Sequence, residues 1–263
     1  MANRKYPANS YEGQAQKFVE PLWLKDELGN YAFSSTTTFL QYRQFFFFIF
    51  AAHAVPHYQS TIDNLALINN SGDFVHLPEI TLKYRIYRDL DIVVCQLLGK
   101  PPNINHFDLS AVSTRTKFKE NTLNWVGFPA AKATAFFHHT KIKAGKVGEK
   151  IEKVEGGVPL HRTAEFNIIG AAFLNDDGLH VTAEFSDRNV TYAFEGRKSK
   201  AHSPQGMSGG ALFQAPLCYR GRPTSLIDFF NFRGMGIEYA KNIIKAISRT
   251  RIIELLEEIL QDD

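Results

Sequence analysis

Apolar and polar residues alternate with a period of two along much of the chain. At 179–185, Leu179, Val181, Ala183 and Phe185 are apolar while His180, Thr182 and Glu184 between them are polar, the pattern of a strand with one buried face. Asp176, Asp177 and Gly178 supply the preceding turn. Similar β-prone runs bounded by turn residues predict strands at 36–42, 44–50, 74–84, 92–98, 123–128, 166–174, 179–185, 190–194, 211–215 and 233–239. The most apolar run, 45–52, reads as a buried strand; its eight residues fall far short of the roughly 20 that cross a bilayer as a helix. Near the C-terminus the period changes. Ile252, Ile253, Leu256, Ile259 and Leu260 recur on one helix face with Glu254, Glu257 and Glu258 opposite, which predicts a helix packed on the outside of a β body, with Thr250 as its cap. The stretch 99–122, with Pro101, Pro102, Asn103 and Asn105, predicts a linker between two strand-rich halves.

Composition narrows the function classes. With 263 residues, 44% of them hydrophobic, the chain can bury one substantial core or two smaller ones that share an interface. Thirty Lys and Arg stand against 27 Asp and Glu without a sustained basic block, so a nucleic-acid partner is not expected. Six lysines from Lys132 to Lys153 are diluted by Glu149 and Glu152 and read as a solvated loop. Two cysteines, Cys95 and Cys218, exclude a framework of several disulfides and fit a reducing compartment. The first 16 residues lack a long apolar stretch behind their basic residues and do not read as a secretory signal, so the expected location is cytoplasmic, without a membrane partner. His138 and His139 adjoin, but neighbours on a strand face opposite ways and no zinc motif accompanies them; no metal and no cofactor are expected.

The segment Gly206-Met207-Ser208-Gly209-Gly210 precedes the apolar run Ala211-Leu212-Phe213. A serine between glycines can sit exposed on a tight turn, because glycine adopts backbone angles closed to other residues. Such a turn can aim the N–H groups of Gly206 and Ser208 at one point, an oxyanion hole for charge developing on an attacked carbonyl. By itself the segment also reads as a plain glycine-rich turn. In α/β-hydrolases the same pattern is followed by a helix and by a later histidine; here a strand follows, and no histidine comes after His202. Upstream, Phe47-Phe48-Ile49-Phe50-Ala51-Ala52-His53 puts a histidine directly after an apolar strand and two small residues. Between these segments lies Asp89-Leu90-Asp91-Ile92-Val93-Val94.

Together these segments resemble the trypsin/chymotrypsin-like serine peptidase family in its bacterial form, a single peptidase domain without a disulfide framework. The His53 junction is similar to the family's Thr-Ala-Ala-His, with Phe50 at the threonine position. Asp91 stands immediately before Ile92, as in the family's Asp-Ile-Ala-Leu, and matches better than Asp89, although both can lie near the site because residues two apart on a strand share a face. The order His, Asp, Ser is that of chymotrypsin-like enzymes and not of subtilisin-like ones. Trp125-Val126-Gly127-Phe128-Pro129 resembles the turn that opens the second barrel in bacterial relatives, and Gly234-Met235-Gly236-Ile237-Glu238 resembles the strand that pairs with an extended substrate.

The resemblance implies an all-β fold of two six-stranded antiparallel β-barrels with a C-terminal α-helix. One peptidase domain over 1–263 would divide into a first barrel at about 18–110, a second at 111–240 and the helix at 241–263. The site would lie between the barrels, with Ser208 as nucleophile, His53 as general base, Asp91 orienting it, and Gly206 and Ser208 forming the oxyanion hole. Protein or peptide substrates would be cleaved through an acyl-enzyme that water resolves, with narrow specificity or control by a regulatory protein or domain. By position relative to Ser208, His202 and Ser203 approach the primary specificity pocket, Met235 and Gly236 form another wall, and Glu238 faces farther along the peptide. Met207 stands where digestive relatives carry an aspartate that pairs with a newly cut N-terminus, so activation by that cleavage is not expected. A catalytically inactive peptide-binding pseudoprotease and an esterase or acyltransferase are the alternative functions.

Overall fold

Phe47 and Ile49 point to one side of their strand and Phe48 and Phe50 to the other, and all four are fully buried. This is why the run carries no polar alternation: both of its faces meet a core. The computed structural model describes residues 11–57, 59–69, 73–101, 104–111, 113, 116–137, 151–155, 158–164, 166–185, 203–217 and 229–261. The expected strand at 190–194 lies outside these residues, as do Cys218, His138 and His139.

After a short helix, α1 (Tyr11–Gln16), the first half of the chain forms β1 (Val19–Lys25), β2 (Tyr31–Tyr42), β3 (Phe45–Phe50), β4 (Leu65–Ile68) and β5 (Phe74–His76). A helical turn, α2 (Leu77–Ile80), follows, and then β6 (Thr81–Tyr87), β7 (Ile92–Leu97) and β8 (Phe107–Asp108). They make one curled sheet in the order β5-β4-β1-β2-β3-β7-β6, with β8 added parallel to β2. The second half supplies β9 (Thr122–Gly127), β10 (Ala133–Phe137), β11 (Ile151–Glu155), β12 (Val158–Ala164), β13 (Asn167–Asp176), β14 (His180–Glu184), β15 (Ala211–Gln214), β16 (Asn231–Ala240) and β17 (Ile243–Ser248). Six of these close a barrel in the order β13-β14-β17-β16-β15-β9, while β10, β12 and β11 form a separate three-stranded sheet. The arrangement, a half-barrel sheet beside a closed six-stranded barrel, is chymotrypsin-like in topology.

Two closed barrels were expected, and the first is open. The strand expected at 74–84 is interrupted by α2, with Pro78 in its first turn and the His76 N–H donating to the Glu79 carboxylate (3.3 Å). Proline lacks an N–H to give a ladder but suits a helix start, so the chain that would join the two ends of the sheet coils there. The open side leaves an apolar cavity of about 360 Å³ lined by Phe39, Leu67, Val75, Ile80, Leu97 and Ile104 among others. The stretch read as a linker is partly docked: Phe107 and Leu109 are buried, and the Leu109 N–H donates to the Gln41 carbonyl (2.8 Å).

Three apolar clusters organise the interior. One fills the half-barrel around Phe39, Phe48, Phe50, Val93 and Cys95; a second fills the closed barrel around Leu123, Trp125, Val181, Leu212 and Ile244. The third lies between them, where Leu40, Phe47, Ile49 and Val94 meet Val126, Phe213, Met235 and Ile247. Helix α3 (Arg249–Gln261) joins this third cluster through Ile252, Leu255, Leu256 and Ile259. The helix begins later than the expected 241, because 243–248 is the last barrel strand. Its cap is Ser248, whose hydroxyl accepts the Arg251 N–H (3.1 Å), and not Thr250. The helix starts on the closed barrel and reaches back to the first sheet, where the hydroxyls of Tyr42 and Tyr87 donate to Glu257 (2.6 Å) and Glu258 (3.0 Å).

His106 packs edge-on against Phe39 and Phe46, and its Nε2 is buried without a hydrogen-bond partner among the described residues. Burial first, and the Lys100 charge second, push its imidazole down to about 4. The unfolded chain takes up this proton near the ordinary value of about 6.5, so stability present above that pH is lost as pH falls toward 4. His106→Gln should therefore lose less stability between pH 7 and pH 4.5 than the parent chain does, as measured by urea unfolding at the two pH values.

Candidate active site

His53 follows β3 on a single 3₁₀ turn, Ala52–Ala54, and Asp91 ends the turn from β6 to β7. Asp91 has φ of +54°, a left-handed conformation that aspartate tolerates better than most residues. Its backbone is held on both sides: the N–H donates to the Arg88 carbonyl (3.3 Å), and the carbonyl accepts the Ala52 N–H (3.1 Å). The carboxylate then takes two hydrogen bonds from one residue. Oδ1 accepts the His53 backbone N–H (2.8 Å), and Oδ2 lies 2.7 Å from His53 Nδ1. An ionised carboxylate only accepts, so Nδ1 carries the proton and Nε2 is left as the basic nitrogen. The hydrogen bond to Asp91 raises the proton affinity of the imidazole, outweighing partial burial, which acts the other way. The His53 side chain remains 46% exposed, so its ring is open to a reactant.

Ser208 sits on the turn before β15, and buried hydroxyls of β2 grip this turn. The Ser208 carbonyl accepts the Thr36 N–H (3.0 Å) and the Ser35 hydroxyl (2.6 Å). Thr36 Oγ1 donates to the Gly206 carbonyl (3.1 Å) and accepts the Phe128 N–H (2.9 Å), while Thr38 Oγ1 donates to the Gly209 carbonyl (2.7 Å). Ser35, Thr36 and Thr38 are fully buried. Thr36 and Thr38 share a face by strand alternation. Ser35 reaches the same turn beside a β-bulge: Leu22 pairs with Ser35 and Trp23 with Phe33, which leaves Ser34 out of register.

Two glycines of the turn have left-handed backbones, Gly206 (φ +93°) and Gly209 (φ +86°). A Cβ on Gly209 would collide with the Thr36 carbonyl and press on Ala51, two residues before His53; one on Gly206 would strike Ala130 and the Phe33 ring. Glycine is therefore required both for backbone angle and for close approach. The Gln205 carbonyl accepts the Ala130 N–H (2.7 Å), and the Met207 carbonyl accepts the Gly210 N–H (2.9 Å). In a trans peptide the N–H points away from its carbonyl, so these bonds orient the N–H groups of Gly206 and Ser208, which have no acceptor among the described residues. The Met207 side chain is buried in the closed-barrel cluster and anchors the turn by apolar contact.

The structure thus brings Asp91 onto His53 and docks the Ser208 turn against β2, whose neighbour β3 leads into His53. Ser208 and His53 are not hydrogen bonded to each other; the Ser208 hydroxyl donates to the Ile237 carbonyl (3.0 Å). Asp89 is exposed and makes no bond to His53. Among the residues expected to meet substrate, Glu238 and Ser203 are exposed, and His202 lies outside the described residues. Met235 is fully buried between the sheets. Gly236 uses its N–H on the Gly210 carbonyl (2.9 Å) and its carbonyl on the Gly209 N–H (2.7 Å). Gly236 therefore braces the serine turn through both of its main-chain polar groups. Compared with known proteins, the chain matches no family model and no curated protein.

Thr36 is the residue most tightly tied to the turn. Thr36→Val keeps the shape but frees the part-buried Gly206 carbonyl and strands the buried Phe128 N–H, the latter at a cost of about 1–3 kcal/mol. The variant should melt at a lower temperature and should move the amide resonances of Gly206 and Ser208 in an NMR spectrum, while those of α3 stay in place.

Proposed function

We propose that this chain is a serine endopeptidase that cleaves protein substrates through an acyl-enzyme on Ser208. The observation that carries this reading is the double hydrogen bond from His53 to Asp91 beside a serine turn with two oriented, unengaged N–H groups. With Nδ1 protonated against Asp91, Nε2 takes the proton of the Ser208 hydroxyl as its oxygen bonds to the substrate carbonyl carbon. The oxyanion is received by the N–H groups of Gly206 and Ser208. His53 returns the proton to the leaving amine as the C–N bond breaks, and water then resolves the ester by the same route in reverse order. Pairing of β15 with β16 ends at Ala211 opposite Met235, so at Ile237 and Glu238 the edge of β16 that faces away from β17 carries no strand among the described residues. An extended peptide added there would lie beside Ser208. Burial of Met207 supports a site that is formed without cleavage of the chain.

One observation favours the second reading, a latent or inactive peptide-binding protein: the Ser208 hydroxyl is engaged by the Ile237 carbonyl and not by His53. Catalysis requires the Ser208 hydroxyl to leave this carbonyl and turn toward His53 Nε2. Identification of cleavage products in a proteome treated with the wild-type chain or with Ser208→Ala separates the two readings. A peptidase gives products that the variant loses, on the order of 10³-fold or more in rate; a binding protein gives the same products with both chains, or none.

The raised proton affinity of His53 sets the pH dependence. The neutral imidazole is the base, so cleavage should rise with pH, with a midpoint above the ordinary histidine value of about 6.5. Its effect on stability has the opposite sense: the protonated His53–Asp91 pair stabilises the fold below that ordinary value, and this is lost as pH rises through the higher folded value. Asp91→Asn should reduce the rate by about 10⁴-fold and remove the upward displacement of the midpoint, as read from rate against pH on a cleaved peptide.

A further inference from the structure

Arg88 belongs to the turn that carries Asp91, yet its side chain serves the loop that carries His53. Nη1 donates to the carbonyls of Ala52 and Val55, both at 2.9 Å, and Nη2 donates to those of Gln59 (2.9 Å) and Pro56 (3.4 Å). Its own carbonyl accepts the Asp91 N–H (3.3 Å). One residue thus closes the Asp91 turn through its main chain and binds four carbonyls on both sides of His53 through its guanidinium. Apart from the 3₁₀ turn at Ala52–Ala54, the chain between β3 and β4 contains no helix or strand among the described residues, so a ladder does not fix this loop relative to Asp91. Arginine suits the task because its planar fork presents several donors in a fixed geometry, whereas lysine offers a flexible point charge.

We infer that Arg88 is a positioning residue for the His53–Asp91 pair. It holds the main chain around His53 so that both the backbone N–H and Nδ1 reach the two oxygens of one carboxylate. Without the fork the loop is tied to Asp91 by the Ala52 N–H and the His53 bonds themselves, and the ring loses its fixed direction. The catalytic consequence rests on the peptidase reading, because a displaced Nε2 matters only if it must meet Ser208. A misplacement of about 1 Å lowers the rate of an oriented reaction by on the order of 10²-fold.

The test uses the full chain as wild type, Arg88→Lys and Arg88→Ala. Three readouts are compared: thermal melting, the low-field proton resonance of the His53 Nδ1–H bonded to Asp91, and the second-order rate at which a fluorophosphonate labels Ser208. Arg88→Lys keeps the charge, so any change in it reports geometry and not electrostatics. The expected result is loss or rapid exchange of the low-field resonance in Arg88→Ala, labelling slower by roughly 10- to 100-fold, and intermediate behaviour in Arg88→Lys. A folded Arg88→Ala chain with an unchanged resonance and labelling within about twofold of wild type overturns the inference, even if it melts earlier, since that pattern is structural support alone. Should Arg88→Ala fail to fold, Arg88→Lys decides by the same two readouts. A wild-type chain that takes no label contradicts the peptidase reading, and the resonance comparison then decides the role of Arg88 independently.

Discussion

The candidate site depends on a seam of hydrogen bonds from buried hydroxyls on one strand of the half-barrel to one turn of the closed barrel. Ser35, Thr36 and Thr38 of β2 grip the carbonyls of Ser208, Gly206 and Gly209 with side-chain and backbone donors. Ser35, Thr36 and Thr38 are fully buried, so a hydroxyl of theirs left unbonded would cost its own desolvation. The seam fixes the turn, and the turn's other peptide bonds fix the direction of two N–H groups. Because β2 pairs with β3, the same strand that holds the serine turn also registers the segment leading to His53. The apolar cluster between the sheets supplies cohesion around this seam but no direction, since hydrophobic burial is non-directional.

The two sides of the site are built by different physics. His53 and Asp91 both come from the half-barrel, at the ends of the adjacent strands β3 and β7, and meet through charge-assisted hydrogen bonds at a partly exposed position. The Ser208 turn is built from backbone: left-handed glycines, close packing against Thr36 and Ala130, and a buried Met207 in place of a charged anchor. This second side tolerates no Cβ at Gly209, whereas the first depends on the orientation of one imidazole ring.

Much of this was legible in the sequence, for identifiable reasons. A glycine-flanked serine before an apolar strand, and a histidine directly after one, are short local patterns whose meaning does not depend on distant residues, and the structure puts both in turns at strand ends. The choice of Asp91 over Asp89 followed from its position against Ile92, and Asp91 is the one bonded to His53. The open first sheet was not legible, because the run at 74–84 satisfies a strand pattern while Pro78 and Glu79 favour a helical turn within it. Strand β1 does not show in the pattern because Pro21 interrupts it, and β17 does not because its residues run into an amphipathic helix. The seam itself leaves a signal in the sequence: Ser34-Ser35-Thr36-Thr37-Thr38 is a hydroxyl run between Phe33 and Phe39 in a strand, where a solvent-facing strand would alternate. Ser35, Thr36 and Thr38 find their partners about 170 residues away in sequence, Ser34 donates to the nearer Ala54 carbonyl, and Thr37 Oγ1 has no partner among the described residues.

The central claim is that Ser208 is a nucleophile activated by His53. Mass-spectrometric mapping of a fluorophosphonate adduct on the folded chain tests it most directly. A single adduct on the peptide containing Ser208, formed by the wild type and lost in His53→Ala, is the result this account predicts. A folded wild-type chain that carries no adduct, or carries it on another residue, would contradict it.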